Sequence, residues 1–151
     1  MTYDHSWLVQ HIPHQGDMCL LDAVLEFDAQ RIRCRATSHH APTNPLRAHG
    51  RLGAVIGIEY AAQAMAAHGA LLAATTPGAQ PRAGYLTSAR AVECMVTRLD
   101  DITEPLLVEA ERLSGDENNI LYTFALHAAD RTILRGRAAV VLDISAIRGT
   151  A

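Results

Sequence analysis

From Leu52 to Ala74 the chain contains no proline and one charged side chain, Glu59. A long, alanine-rich run without breakers is helical. Glu59, Gln63 and His68 make it too polar to span a membrane. Yet it is apolar all round, and such a helix is stable only when other elements cover most of its faces. The covering elements must come from the rest of the chain.

They read as strands. Ser6–Ile12 forms a short helix, capped by Ser6 and ended by Pro13. Met18–Asp28 is a strand, and Asp28, Ala29 and Gln30 make a turn into a second strand, Arg31–Ser38. In that second strand Ile32, Cys34 and Ala36 alternate with Arg31, Arg33, Arg35 and Thr37, the period of a half-buried strand. His39–Arg51 is a loop, and Thr75–Pro81 is a Pro/Gly-rich connection. Four further strands occupy Gly84–Arg98, Pro105–Leu113, Ile120–His127 and Arg131–Asp143, with a turn at Ser114–Asn119. Ile120, Tyr122, Phe124 and Leu126 make the core face of the third of these. Strands gathered around one buried helix specify an α+β domain with an antiparallel sheet. A sheet wrapped around one long central helix is the hotdog arrangement, here expected as a single domain over residues 1–151.

The bulk numbers agree with a globular domain. Of 151 residues, 49% are hydrophobic and 19% charged, and the formal net charge is −3. That balance argues against nucleic acid or an anionic membrane as the main partner. Aromatic residues make up 5%, so small side chains and close backbone approach must build the core. No basic-then-apolar leader follows Met1, and Cys19, Cys34 and Cys94 are widely spaced and read as buried reduced thiols, so a cytoplasmic location is the expectation. His11 and His14 flank Pro13 without a carboxylate or cysteine cluster, so no metal site is expected, and no phosphate loop or nucleotide signature implies a cofactor.

Two stretches carry a resemblance. Ile12-Pro13-His14, followed by Met18-Cys19-Leu20-Leu21-Asp22-Ala23-Val24-Leu25-Glu26, is similar to the N-terminal strand of the beta-hydroxyacyl-ACP dehydratase family. Gly57-Ile58-Glu59-Tyr60-Ala61-Ala62-Gln63 resembles that family's helix, with its carboxylate and a glutamine four residues on. Asn44-Pro45-Leu46-Arg47 and Gly50-Arg51-Leu52 resemble a divergent branch, the dehydratase-like proteins of aryl polyene gene clusters. The resemblance implies dehydration of 3-hydroxyacyl thioesters carried on an acyl carrier protein. It also implies pairing into a homodimer, or a heterodimer with another hotdog subunit. His14 takes the family's structural Pro-His position.

Such a dehydration needs a base for the proton beside the thioester carbonyl, an acid for the departing hydroxyl, and donors for the enolate-like oxygen. Glu59 fits the carboxylate, and burial would raise its pKa toward that of a working acid. Gln63, at i+4, is either an orienting partner on the same face or a satisfied core amide. Pro45 takes the place of the family's loop histidine, which leaves His39, His40, His49 or no histidine as the partner of Glu59. Gly53 or Gly57 would offer a backbone N–H to the carbonyl at the helix start, or would serve packing alone. His68 is expected at a subunit interface. Three functions follow: a 3-hydroxyacyl-ACP dehydratase using Glu59 with His39 or His40, a non-catalytic subunit of a heteromeric dehydratase, and an acyl thioesterase.

Overall fold

The computed structural model describes residues 3–13, 16–78, 84–116 and 118–142. A short strand β1 (Tyr3–Asp4) runs into helix α1 (His5–His11). Asp4, not Ser6, caps α1, its carboxylate accepting the Trp7 N–H at 3.0 Å. After a 3₁₀ turn at Gly16–Met18 come β2 (Ala23–Phe27) and β3 (Arg31–Ala36), paired as the expected hairpin. The central helix α2 is Gly57–Thr75, entered through a 3₁₀ turn at Ala54–Ile56. Four strands follow: β4 (Gly84–Cys94), β5 (Leu106–Gly115), β6 (Asn119–Ala128) and β7 (Arg131–Leu142).

All described strands join one antiparallel sheet in the order β1-β2-β3-β5-β6-β7-β4. The sheet curls around α2. Its inner face carries Ile32 and Cys34 of β3, Leu106 and Val108 of β5, and Ile120, Tyr122, Phe124 and Leu126 of β6, all buried. The alternation read from β3 and β6 therefore gives the correct core faces. Close approach of the helix is possible because Gly57 lacks a side chain: a Cβ there would lie 3.1 Å from Leu126. Gly57 thus serves packing. Its N–H is moreover donated within the 3₁₀ turn, to the carbonyls of Ala54 and Val55, so it is not free to bind a substrate carbonyl.

β4 lies at the sheet edge, and its residues are largely exposed. This corrects the reading of Cys94, whose thiol is exposed there, while Cys19 and Cys34 are buried. His68 does not face outward either. It is fully buried, its Nε2–H donating to the Asp28 carbonyl at 2.7 Å and its Nδ1 accepting the Tyr122 hydroxyl at 2.7 Å. The tautomer follows from chemistry, because a carbonyl can only accept.

His39 is the other fully buried histidine among the described residues. Burial depresses the pKa of both below the ordinary histidine value of 6.5, and in His39 the neighbouring His40 adds to the effect. The unfolded chain then binds more protons than the folded one just under that value. Stability should be greatest above pH 7 and should fall as pH drops through about 6.5, before the carboxylates titrate. A urea midpoint that decreases over this window is the expected result; a flat or rising midpoint would contradict it.

Candidate functional site

Glu59 sits in the first full turn of α2 and is half-buried. It lines a narrow cavity of about 290 Å³ together with Pro13, Ala62, Met65, Ala66 and Gly69 on one side, and Ile120, Tyr122, Val140 and Leu142 on the other. Gly84, Tyr85 and Leu86 at the start of β4 complete the wall. The cavity follows the helix. Gly57 packs against Leu126, whereas His68 bonds Tyr122 nearer the start of β6, so α2 and β6 run in opposite directions. Glu59, Ala62, Ala66 and Gly69 lie at i, i+3, i+7 and i+10, a single helical face. Apart from Glu59 the described lining is apolar but for two phenol hydroxyls, that of Tyr122, which His68 engages, and that of Tyr85 on the exposed edge strand. Burial pushes the Tyr122 phenol up to about 12, so it stays protonated.

The remaining predicted residues are placed as follows. Gln63 does not orient Glu59. It is fully buried, its Oε1 accepting the Leu20 N–H at 2.8 Å and its Nε2 donating to the Met18 carbonyl at 2.6 Å. One side chain thus ties the segment between α1 and β2 to the helix, one turn beyond Glu59. His39 and His40 lie in a 3₁₀ turn (Ser38–His40) directly after β3, with ring centroids 3.9 Å apart. The Nε2–H of His39 donates to the carbonyls of Ile102 and Glu104, each at 3.1 Å, and that of His40 also reaches the Ile102 carbonyl. The chain turns immediately after β3, so both imidazoles brace the 102–104 segment rather than reaching α2's Glu59 face. Neither lines the Glu59 cavity, and no described histidine does. His49 is exposed, in a tight turn at φ 54°. His14 lies outside the described residues.

Gly53 immediately precedes the Ala54–Ile56 turn, and a Cβ on it would meet nothing within 4 Å, so packing does not demand a glycine there. The 3₁₀ entry is held firmly. Asp100 accepts the Leu52 N–H at 3.0 Å and pairs with Arg98, whose guanidinium holds its carboxyl well below the usual range. Asn44 approaches from the loop. Its amide donates to the Ser38 carbonyl at 3.0 Å and to the Tyr60 hydroxyl at 3.3 Å, next to Glu59 in sequence. Among the described residues no three His, Cys, Asp or Glu side chains gather to hold a metal ion, and no helix is long and apolar enough to cross a membrane.

A second cavity, of about 670 Å³, lies over the sheet and is lined by a mixture of arginines and glutamates. These are largely engaged with one another: Arg33 pairs with Glu109 and Glu26, Arg31 with Glu111, and Arg135 with Glu93. It is larger, but it offers no apolar channel, and its glutamates are paired with arginines across the sheet. The Glu59 cavity is the better chemical site.

Sequence reasoning missed the cavity's walls. Ala62, Ala66 and Gly69 were legible as the face of Glu59 from helical spacing alone; Tyr122 and Val140 depend on the sheet's curl. Gln63→Met keeps the volume of the side chain and removes both polar ties. It leaves the buried Leu20 N–H without a partner, at roughly 1–3 kcal/mol, and also frees the half-buried Met18 carbonyl. Denaturant unfolding should show a loss of that order, whereas an unchanged midpoint would mean that the tie contributes nothing.

Comparisons with known proteins agree with this fold. The family model described as ApeP dehydratase matches residues 7–145. A search of curated proteins gave no significant match. Among solved structures, the dehydratase heterocomplex ApeI:P from Xenorhabdus doucetiae is similar with a TM-score of 0.82 at 21% identity, covering 94% of this chain and 97% of that one. A Gln-to-Ala mutant of a thioesterase from Pseudomonas aeruginosa superposes with a TM-score of 0.58 at 16% identity, covering 95% and 97%. A thioesterase family protein from Silicibacter pomeroyi gives 0.56 at 15%, covering 79% and 82%. These likenesses establish the hotdog fold. With the family model spanning nearly the whole chain, this protein belongs to the ApeP-like dehydratase family.

Proposed function

We propose that this chain takes part in dehydrating a 3-hydroxyacyl thioester presented on an acyl carrier protein, with Glu59 as its proton-transfer group. The observation that carries the reading is the placement of Glu59: the one carboxylate of α2 lines a narrow apolar channel that continues along the helix. A carboxyl group at the head of such a channel meets the reacting carbons of an acyl thioester whose tail occupies the rest. Protonation of a departing hydroxyl needs such a proton-transfer group beside it. Gly53 remains the proposed source of a backbone N–H for the thioester carbonyl.

The second proton-transfer group comes, in this reading, from another hotdog subunit. The similar Xenorhabdus structure, named as a dehydratase heterocomplex, supports that assignment, as does Pro45, which stands where the resembled family has its loop histidine. The second reading, a chain that shapes the channel without catalysing, is favoured by Pro45 at the position of the resembled family's loop histidine. A thioesterase has only the fold likeness in its support.

Glu59→Gln separates the first two readings. The purified chain, alone and with a partner hotdog subunit, would be given 3-hydroxyacyl carrier thioesters, and the enoyl product followed by mass spectrometry. Loss of a general acid–base group should reduce turnover by about 10²–10⁴-fold. Equal rates for wild type and Glu59→Gln in the complex would assign the chain a silent role. Release of free thiol without enoyl product would point to hydrolysis.

A further inference from the structure

We infer that Gly69 is a specificity-determining residue that sets how long an acyl tail the Glu59 channel accepts. The inference rests on the dehydratase reading above and concerns the far end of the same cavity. From residue 59 to residue 69 the helix advances about 15 Å along its axis. Gly69 therefore stands at the tail end of any acyl chain whose thioester lies at Glu59.

A glycine well inside a helix is disfavoured relative to alanine, because it loses more backbone freedom on folding. Three reasons ordinarily account for one. A left-handed backbone is the first, and Gly69 is not among the residues with positive φ. A helix end is the second, and Gly69 lies inside Gly57–Thr75. A close neighbour is the third, and a Cβ built on Gly69 meets no heavy atom of the described residues within 4 Å. Gly57 and Gly84 differ on this point, since a Cβ there would approach Leu126 to 3.1 Å and Val140 to 3.0 Å. The fold itself thus gives no reason for glycine at 69. What its missing side chain leaves is space, between the helix and the wall of Ile120, Tyr122, Val140 and Leu142.

The chemistry of that wall identifies the occupant. It is aliphatic or aromatic, and its single hydroxyl is already bonded to His68. A polar group buried there would lose its water without gaining a partner. A linear hydrocarbon tail would lose nothing and would gain the contacts that the glycine leaves open. Ala66 and Met65 line the channel one turn earlier, so added bulk at 69 should shorten it from the far end and leave the Glu59 end unchanged.

The test compares wild type, Gly69→Ala and Gly69→Leu in the active assembly, with 3-hydroxybutyryl, 3-hydroxyhexanoyl, 3-hydroxyoctanoyl and 3-hydroxydecanoyl carrier thioesters. Gly69→Ala should melt at a higher temperature than wild type. Gly69→Leu should keep the wild-type rate on the shortest chain it shares and lose about tenfold or more in kcat/KM on the longest that wild type accepts. An equal effect at every length overturns the inference. So does a flat length profile accompanied by a changed oligomeric state, which would assign the space to a partner's side chain. Calorimetric binding of the matched saturated acyl thioesters reads the same cut-off without turnover. A shifted cut-off in binding with no dehydration by any variant would defeat the dehydratase reading and uphold the role of Gly69; an unshifted one would defeat the role.

Discussion

The contact of α2 with the inner face of the sheet, closest where Gly57 meets Leu126 and Leu134, is the interaction on which the rest of the structure depends. A helix without an amphipathic pattern has no face to turn to water, so it folds only inside a sheet that wraps it. Small residues let the sheet come close. Gly57 draws in β6 and β7 near the helix start, and Ala61, Ala64 and Ala67 are buried along the length. A different stripe of the helix, Glu59, Ala62, Ala66 and Gly69, lines a channel against the far parts of β6 and β7 and the start of β4.

The polar residues of α2 divide the labour. Tyr60 donates its hydroxyl hydrogen to Ser38 Oγ, since the Ser38 hydroxyl is itself donated to the Leu20 carbonyl. Gln63 holds the Met18–Leu20 segment, and His68 holds the end of β2 and the Tyr122 ring. Each ties the helix to a different part of the chain, and each is buried where an unmade hydrogen bond would be strongly unfavourable. Glu59 differs in facing the channel. The ties and the channel-lining stripe of Glu59, Ala62, Ala66 and Gly69 thus occupy different faces of the helix.

How much of this the sequence disclosed depended on the range of the interaction. Alternation in Ile32–Ala36 and Ile120–Leu126 revealed the core faces, because strand period is a local property. The unbroken run from Leu52 revealed the helix, although its first residues form a 3₁₀ turn instead. Glu59 stood out as a lone charge, and the channel holds it. Gln63 was left open between an orienting partner and a satisfied core amide, and the structure decides for the amide, because its partners lie 43 and 45 residues away, beyond any helical spacing rule. His39 and His40 were misplaced for a related reason: their carbonyl partners belong to a turn more than 60 residues on, which only the folded sheet brings beside β3. Cys94 looked buried by composition, but its strand is an edge, and edge position is a fact of topology that residue patterns do not carry.

The central claim is that an acyl thioester lies along α2 with its reacting carbons at Glu59. A crystal structure of the assembly with a hydrolysis-resistant 3-hydroxyacyl pantetheine amide tests it most directly. The account places the 3-hydroxyl within about 2.6–3.2 Å of the Glu59 carboxylate, with the tail running past Ala62 and Ala66 toward Gly69. A ligand bound in the arginine- and glutamate-lined groove over the sheet, or one entering the channel tail-first from the Glu59 end with its hydroxyl remote from the carboxylate, would contradict it.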